Sequence, residues 1–234
     1  MQAPTTFRSG SMNHMTTLHN PACAAVVAKL FAAADSSDAT LDAQRNALSP
    51  EEQARFMAGA QNYRAFYGRL KDFHLAVSRE TATLLYMLAR SCRAATVVEF
   101  GTSFGVSTVH LAAALRDNGG GRVISSELEP TKAAQARENL AEAGLADLVE
   151  IRSGDALETL SRDLPDPIDL VLLDGAKGLY PKILALLEPR LRSGALVVAD
   201  NADWSPEYLG RVRDVAHGYE SVAFAGDVAV SLRL

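Results

Sequence analysis

The chain has 234 residues, 48% hydrophobic and 22% charged, with a formal net charge of -5. These values fit one well-buried core with a small elaboration. The acidic balance and the lack of a Lys/Arg-rich block argue against nucleic acid as the main partner, and no apolar run approaches the length of a membrane span.

Residues 1–17 read as a disordered or tag-like N-terminus without a signal-peptide pattern, so cytoplasmic residence is expected. Cys23 and Cys92 lack zinc or redox spacing and read as free thiols. Pro21 to Phe31 predicts an alanine-rich helix, apolar nearly all round, that must pack on another helix or a partner subunit. Asp35 to Thr40 reads as a polar link. Ser49-Pro50-Glu51-Glu52 is a helix start with a capping box, and the helix is expected to run to about Tyr67, carrying Phe56, Tyr63 and Phe66. Ser78 caps a helix over 79–91 whose Leu84, Leu85, Met87 and Leu88 should face the sheet.

From Thr96 the pattern alternates between strand and helix. Strands are predicted over 96–100, 122–127, 147–151, 168–173, 195–199, 221–225 and 228–232, with helices over 105–117, 130–143 and 178–190 between them. Short loops and apolar strands predict a mostly parallel sheet covered on both faces. The last two strands, joined at Gly226-Asp227, read as a hairpin.

The stretch Thr96 to Thr108 organises the chain: a β-branched strand, a turn bracketed by Gly101 and Gly105, then a helix. It has the shape of a nucleotide-binding first crossover. It lacks the third glycine of a dinucleotide fingerprint and the Gly-Lys-Ser/Thr of a P-loop. An acid at the strand's end, Glu99, is expected to face the cofactor crevice. Ligands in such sheets bind beyond the C-terminal strand ends. The polar residues there are Glu99, Thr102, Ser103 and Ser107 after the first strand, Glu127 and Glu129 after the second, Asp155 after the third, Asp174 and Lys177 after the fourth, and Asp200 and Asn201 after the fifth. Glu127 suits a pair of ribose hydroxyls. Asp155 suits an adenine amino group, a helix cap, or both. Asp174, Asp200 and Asn201 are hard oxygen ligands that suit Mg²⁺, Mn²⁺ or Ca²⁺ and not zinc; the alternative is a solvated acidic rim. Lys177, three residues beyond Asp174, is placed for a salt bridge or as a proton acceptor. His74, His110 and His217 share no metal-ligand spacing, and no G-x-S-x-G elbow appears.

These motifs, VVEFGTSFGVSTVHLAAAL, SSELEP, SGDA, VLLDGAKGLY and LVVADN, resemble the class I S-adenosylmethionine-dependent methyltransferases. More narrowly, they resemble the catechol and caffeoyl-CoA O-methyltransferase superfamily. The resemblance runs from about Val77 to the C-terminus. It implies a Rossmann-like α/β fold with a seven-stranded, mostly parallel sheet, an antiparallel last strand and extra N-terminal helices. Residues 18–76 would then be a cap or dimer interface and 77–234 the cofactor-binding domain. It also implies a site. Glu99, Gly101 and Ser107 would belong to the methionine side of S-adenosyl-L-methionine. Glu127 would bind its ribose and Asp155 and Ala156 its adenine, with Val77, Thr102, Ser103, Leu128 and Asp174 also among the cofactor-binding residues and Asp174 catalytic with Lys177. Asp174, Asp200 and Asn201 would hold a divalent metal, Mg²⁺ by preference, and Lys177 would take the proton of a catechol-like hydroxyl. Tyr63, Tyr67, Lys177 and Trp204 are expected to line the acceptor pocket, and Gly175 to leave its floor open. A homodimer with a small aromatic acceptor is the expected assembly. A metal-independent methyltransferase of the same fold, and a non-catalytic cofactor-binding protein, are the alternatives.

Overall fold

Successive residues of a strand point to opposite faces, and that alternation divides the core in two. In the computed structural model, which describes residues 16–49, 51–52 and 62–234, Val97, Leu170, Leu172, Leu196 and Val198 pack on one face of the sheet. Val98, Phe100, Val171, Leu173, Val197 and Ala199 pack on the other. The strands are β1 (Thr96–Phe100), β2 (Arg122–Glu127), β3 (Val149–Ser153), β4 (Ile168–Leu173), β5 (Leu191–Ala199), β6 (Tyr219–Phe224) and β7 (Val228–Arg233). Their order is β3-β2-β1-β4-β5-β7-β6. β7 runs antiparallel to both its neighbours, β5 and β6, and the pairs from β3 through β5 are parallel. The expected fold class therefore holds, with the last strand inserted inside the sheet. Its hairpin turn spans Ala225, Gly226 and Asp227, one residue more than expected.

The helices are α1 (Pro21–Asn46), α2 (Tyr63–Arg69), α3 (Arg79–Ser91), α4 (Val106–Asn118), α5 (Pro130–Glu142), α6 (Ala156–Thr159), α7 (Tyr180–Leu187) and α8 (Pro206–Val212). Helix α4 is buried along all of Val106–Leu115, and its polar residues Ser107, Thr108 and His110 are hydrogen-bonded there. It lies between the sheet and the layer of α1 and α3. Cys23, Val26, Leu30 and Phe31 of α1 belong to this same core, so that side of α1 is covered by its own chain, while Ala25, Ala28 and Ala32 on the other side are exposed.

Several expectations need correction. Helix α1 does not stop at Phe31; the polar stretch Asp35–Thr40 continues it to Asn46. Thr40 Oγ donates back to the Ser36 carbonyl at 2.9 Å, and Asp35 pairs with Arg79, so these polar groups are satisfied without leaving the helix. The capping box is present: Glu52 accepts from the Ser49 N–H at 2.8 Å, and Ser49 Oγ from the Glu52 N–H at 3.3 Å. The rest of the expected helix over 51–67, Phe56 included, lies largely outside the described residues, as do residues 1–15. Its end appears as a separate helix, α2, with Asn62 as N-cap. Helix α3 has the expected bounds and Ser78 cap. Met87, however, is 59% exposed, because the buried positions Thr81, Ala82, Leu85 and Ala89 put it on the opposite side of the helix. Among the described residues no helix is long and apolar enough to cross a membrane.

Candidate active site

The parallel strands end on one side of the sheet, and the loops leaving β1, β2, β4 and β5 meet there. Close backbone approach builds the floor. Gly101 follows β1 with φ 104, and a Cβ on it would lie 2.5 Å from the Asp174 carbonyl oxygen. Only glycine fits between the β1 and β4 loops. The Phe100 ring fills the space that a side chain at Gly175 would need, so the floor beside Gly175 is occupied, contrary to expectation.

Three clefts meet at this edge. The first, about 770 Å³, is lined by Gly101, Ser103, Glu127, Leu128, Ala156 and Asp174. The second, about 240 Å³, adds Val77, Thr102 and Ser107. The third, about 1360 Å³, is lined by Tyr67, Asp174, Lys177, Asp200, Asn201 and Trp204, with Phe66 and Leu70. Among the described residues, Asp174 and Leu75 alone border all three. The cofactor residues expected from the sequence thus gather around the first two clefts, and the metal and acceptor residues around the third.

Three residues depart from this division. Glu99 lines none of the clefts; it is 0% exposed. Its carboxyl accepts from the Ser107, Thr108 and Ser125 hydroxyls at 2.6, 2.6 and 2.5 Å. Burial pushes this carboxyl above its usual range, while the three hydroxyl donors pull the other way. Its position ties the start of α4 to β1 and β2. Asp155 caps α6 by accepting from the Leu157 N–H at 2.9 Å. Its other oxygen accepts from the Tyr63 hydroxyl and from Arg64 Nε at 2.9 Å. The cap is as expected, but the partner on the cleft side is α2, where adenine was expected. Burial would raise the Asp155 carboxyl, and these donors outweigh it and hold it below its usual range. Tyr63 accordingly belongs to the first cleft and not to the acceptor cleft.

Glu127 is buried but remains on the cleft wall. Its oxygens accept from the backbone N–H groups of Ser103 at 2.7 Å and Glu129 at 2.9 Å. A carboxylate has about four lone-pair sites, so it retains acceptor capacity.

In the third cleft, Lys177 Nζ lies 3.0 Å from Asp174 Oδ1, with both side chains nearly buried. Burial would lower the Lys177 ammonium; the groups around it, Tyr180, Asp174 and Asp200, outweigh that and hold it well above the usual lysine range. The Asp174 and Asp200 carboxyls border the same cleft and lie near enough to perturb each other's ionisation. Burial first, then the Asp174 charge, push Asp200 up to about 7. Asn201 donates Nδ2 to Asp227 at 3.0 Å, which leaves its amide oxygen as an acceptor. Among the described residues no three His, Cys, Asp or Glu side chains converge as a metal site. The set on offer is two acids and one amide oxygen. Two buried acids side by side, both pushed up by burial, fit a hard dication, which would relieve their repulsion.

The raised Asp200 has a testable consequence. The folded chain binds this proton more tightly than the unfolded chain, so its stabilising contribution is complete below the ordinary carboxyl range and is lost as pH rises through about 7. In chelator-treated protein, Tm is expected to fall between pH 5 and pH 8, and less so in Asp200→Asn. Equal slopes for the two proteins would refute the assignment.

Asp227, at the β6–β7 turn, lines the third cleft and was missed in the sequence. A turn acid carries no signal of its own, and only the insertion of β7 beside β5 brings it to the site. Arg64, on the wall of the first cleft, was likewise missed.

A model of the methyltransferase domain matches residues 98–202. The chain is 36% identical over 130 residues to a catechol O-methyltransferase of Niastella koreensis, an alignment covering 54% of this chain and 58% of that protein. It therefore spans little more than half the length of that relative. It is 32% identical over 155 residues to an O-methyltransferase-family protein of Mycobacterium sp. (strain JLS), covering 66% of this chain and 68% of the other. Among solved structures it resembles the O-methyltransferase TomG of Streptomyces achromogenes, determined with S-adenosylmethionine. That match has a TM-score of 0.61 and 29% identity, covering 74% of this chain and 89% of TomG.

Proposed function

The chain belongs to the class I S-adenosylmethionine-dependent O-methyltransferases, and from that premise we propose that it moves the methyl group of S-adenosylmethionine to one hydroxyl of a small, catechol-like aromatic acceptor. The observation that carries this reading is the meeting of the clefts at Asp174. A donor in the first and an acceptor in the third face each other across one carboxylate. Methyl transfer breaks the S–C bond and forms the C–O bond in line, so the work of the protein is alignment and removal of one proton.

Glu127 accepts from the ribose hydroxyls. Val77, Thr102, Ser103 and Ser107 enclose the methionine end, and Leu128 and Ala156 flank the adenine. Asp174, Asp200 and Asn201 are the residues to hold a divalent cation, Mg²⁺ by preference. Such an ion, when bound, lowers the pKa of the chelated hydroxyl. Lys177 Nζ receives the hydroxyl proton as a neutral amine, so its resting ammonium must first give up one proton to solvent. Tyr67 and Trp204 supply flat apolar surface for an aromatic ring.

A second, metal-independent reading is favoured by the Lys177–Asp174 ion pair, which already neutralises one acid at 3.0 Å. A methyl-transfer screen over catechols and related vicinal diols, with and without EDTA, separates the two. Turnover lost on chelation supports the first reading, and full activity in EDTA supports the second. For the cofactor side, Glu127→Gln is expected to weaken S-adenosylmethionine binding by about tenfold, as loss of a charged hydrogen bond predicts. Calorimetry measures it, and unchanged affinity removes Glu127 from the ribose site. The homodimer is also proposed, with the exposed alanines of α1, Ala25, Ala28 and Ala32, on one side of that helix; sedimentation velocity decides it.

A further inference from the structure

We propose that Asp38 of α1 is a positioning residue for methyl transfer, because it fixes Leu75 at the junction of the cofactor and acceptor clefts. Residues 73–76 connect α2 to α3 and are held from two sides. On the cofactor side, Lys132 Nζ donates to the Phe73 carbonyl at 2.7 Å, and the Ser103 hydroxyl donates to the His74 carbonyl. The His74 ring also stacks on Phe104, with centroids 4.2 Å apart. On the other side stands α1. Ser37 Oγ accepts from the His74 N–H at 3.1 Å. Asp38 Oδ1 accepts from the Leu75 N–H at 3.1 Å, and Asp38 Oδ2 from the Ala76 N–H at 3.4 Å.

Leu75 needs that hold. Its φ is 50, in the left-handed region that non-glycine residues avoid. The strain persists only where neighbours over-determine it, and one carboxylate accepting two successive N–H groups does so. The residue so held borders all three clefts. Without Asp38, the backbone at 75 is free to return to negative φ, which swings the leucine side chain off the junction. The wall between donor and acceptor would move while the sheet stayed in place.

This inference rests on the O-methyl transfer reading for its kinetic arm. The experiment compares wild type, Asp38→Ala and Asp38→Asn, using catechol with Mg²⁺ as acceptor and S-adenosylhomocysteine for binding. In Asp38→Ala, kcat is expected to fall by about tenfold or more, since small misplacements of reacting groups have effects of that order. The KM for catechol and the Kd for S-adenosylhomocysteine should stay within about threefold, the signature of lost alignment and not of lost binding. Asp38→Asn keeps one acceptor oxygen and should fall between. An unchanged kcat in Asp38→Ala overturns the proposal, as does a fall in kcat that only matches a fall in S-adenosylhomocysteine stoichiometry. A second arm needs no acceptor: amide hydrogen exchange of the S-adenosylhomocysteine-bound proteins. The Leu75 and Ala76 amides should exchange about tenfold faster in Asp38→Ala, while those of β1 and β4 do not change. If the wild type methylates no diol, the functional reading fails. Unaltered exchange at Leu75 and Ala76 overturns the role of Asp38 by itself.

Discussion

Replacing Lys177 by alanine is expected to lower kcat for methyl transfer by about 10² to 10⁴, the range for loss of a positioned proton acceptor. Lys177 is held beside Asp174 and within reach of the Asp200 charge, on the wall of the third cleft. Removing it takes its amine out of the third cleft's acidic group, yet leaves the cofactor cleft intact. S-adenosylmethionine binding should therefore stay close to that of the wild type. Lys177→Arg sharpens the test. Arginine keeps the charge facing Asp174 but stays protonated at any workable pH. If Lys177 moves a proton, the arginine variant is as slow as the alanine variant. Near-normal turnover in Lys177→Arg would reduce the lysine to a counter-ion.

The largest effect on stability is expected at Gly101. Alanine there would place a Cβ 2.5 Å from the Asp174 carbonyl at φ 104. Left-handed strain of about 1–2 kcal/mol and overpacking of about 1–3 kcal/mol together give roughly 3 kcal/mol. For a chain of this size that corresponds to a Tm lowered by about 6 to 12 °C. Cofactor affinity should fall as well, because relief of the clash pushes the β1 and β4 loops apart at the wall shared by the clefts. Thermal unfolding and calorimetry read the two effects. A Tm within about 2 °C of wild type would mean that the loops separate without resistance, and the close approach would lose its significance.

Much of the sheet was legible because its strands are short, β-branched runs punctuated by glycine and proline, and their ends carry the acids. Gly101, Glu127, Asp174, Lys177, Asp200 and Asn201 all fall where strand-end logic puts them. Glu99 did not, for a reason the pleat supplies. It shares parity with Val97, whose side faces α4, whereas Phe100 has the parity of the cleft side. Two steps of alternation direct its carboxyl to Ser107 and Thr108 and away from the crevice. Residues 35–40 read as a link because their polarity has no local explanation. The partners of Asp35, Ser37 and Asp38 lie between His74 and Arg79, too distant in the chain for any periodicity to reveal. Asp155 was read correctly as a cap, but its contacts with Tyr63 and Arg64 depend on how α2 crosses the first cleft.

The placement of β7 bears on how the molecule is completed during synthesis. Among the described residues β6 has β7 as its sole sheet neighbour, so a nascent polypeptide that has emerged only as far as Asp227 has two strands still unjoined to the sheet. The half bearing β1, β2 and β3 closes from residues translated much earlier, whereas the wall carrying Asp227 is sealed only once β7 has followed them. A stop codon ahead of Val228 thus strips the edge of two strands at once, and it does so on the side where the acceptor would bind.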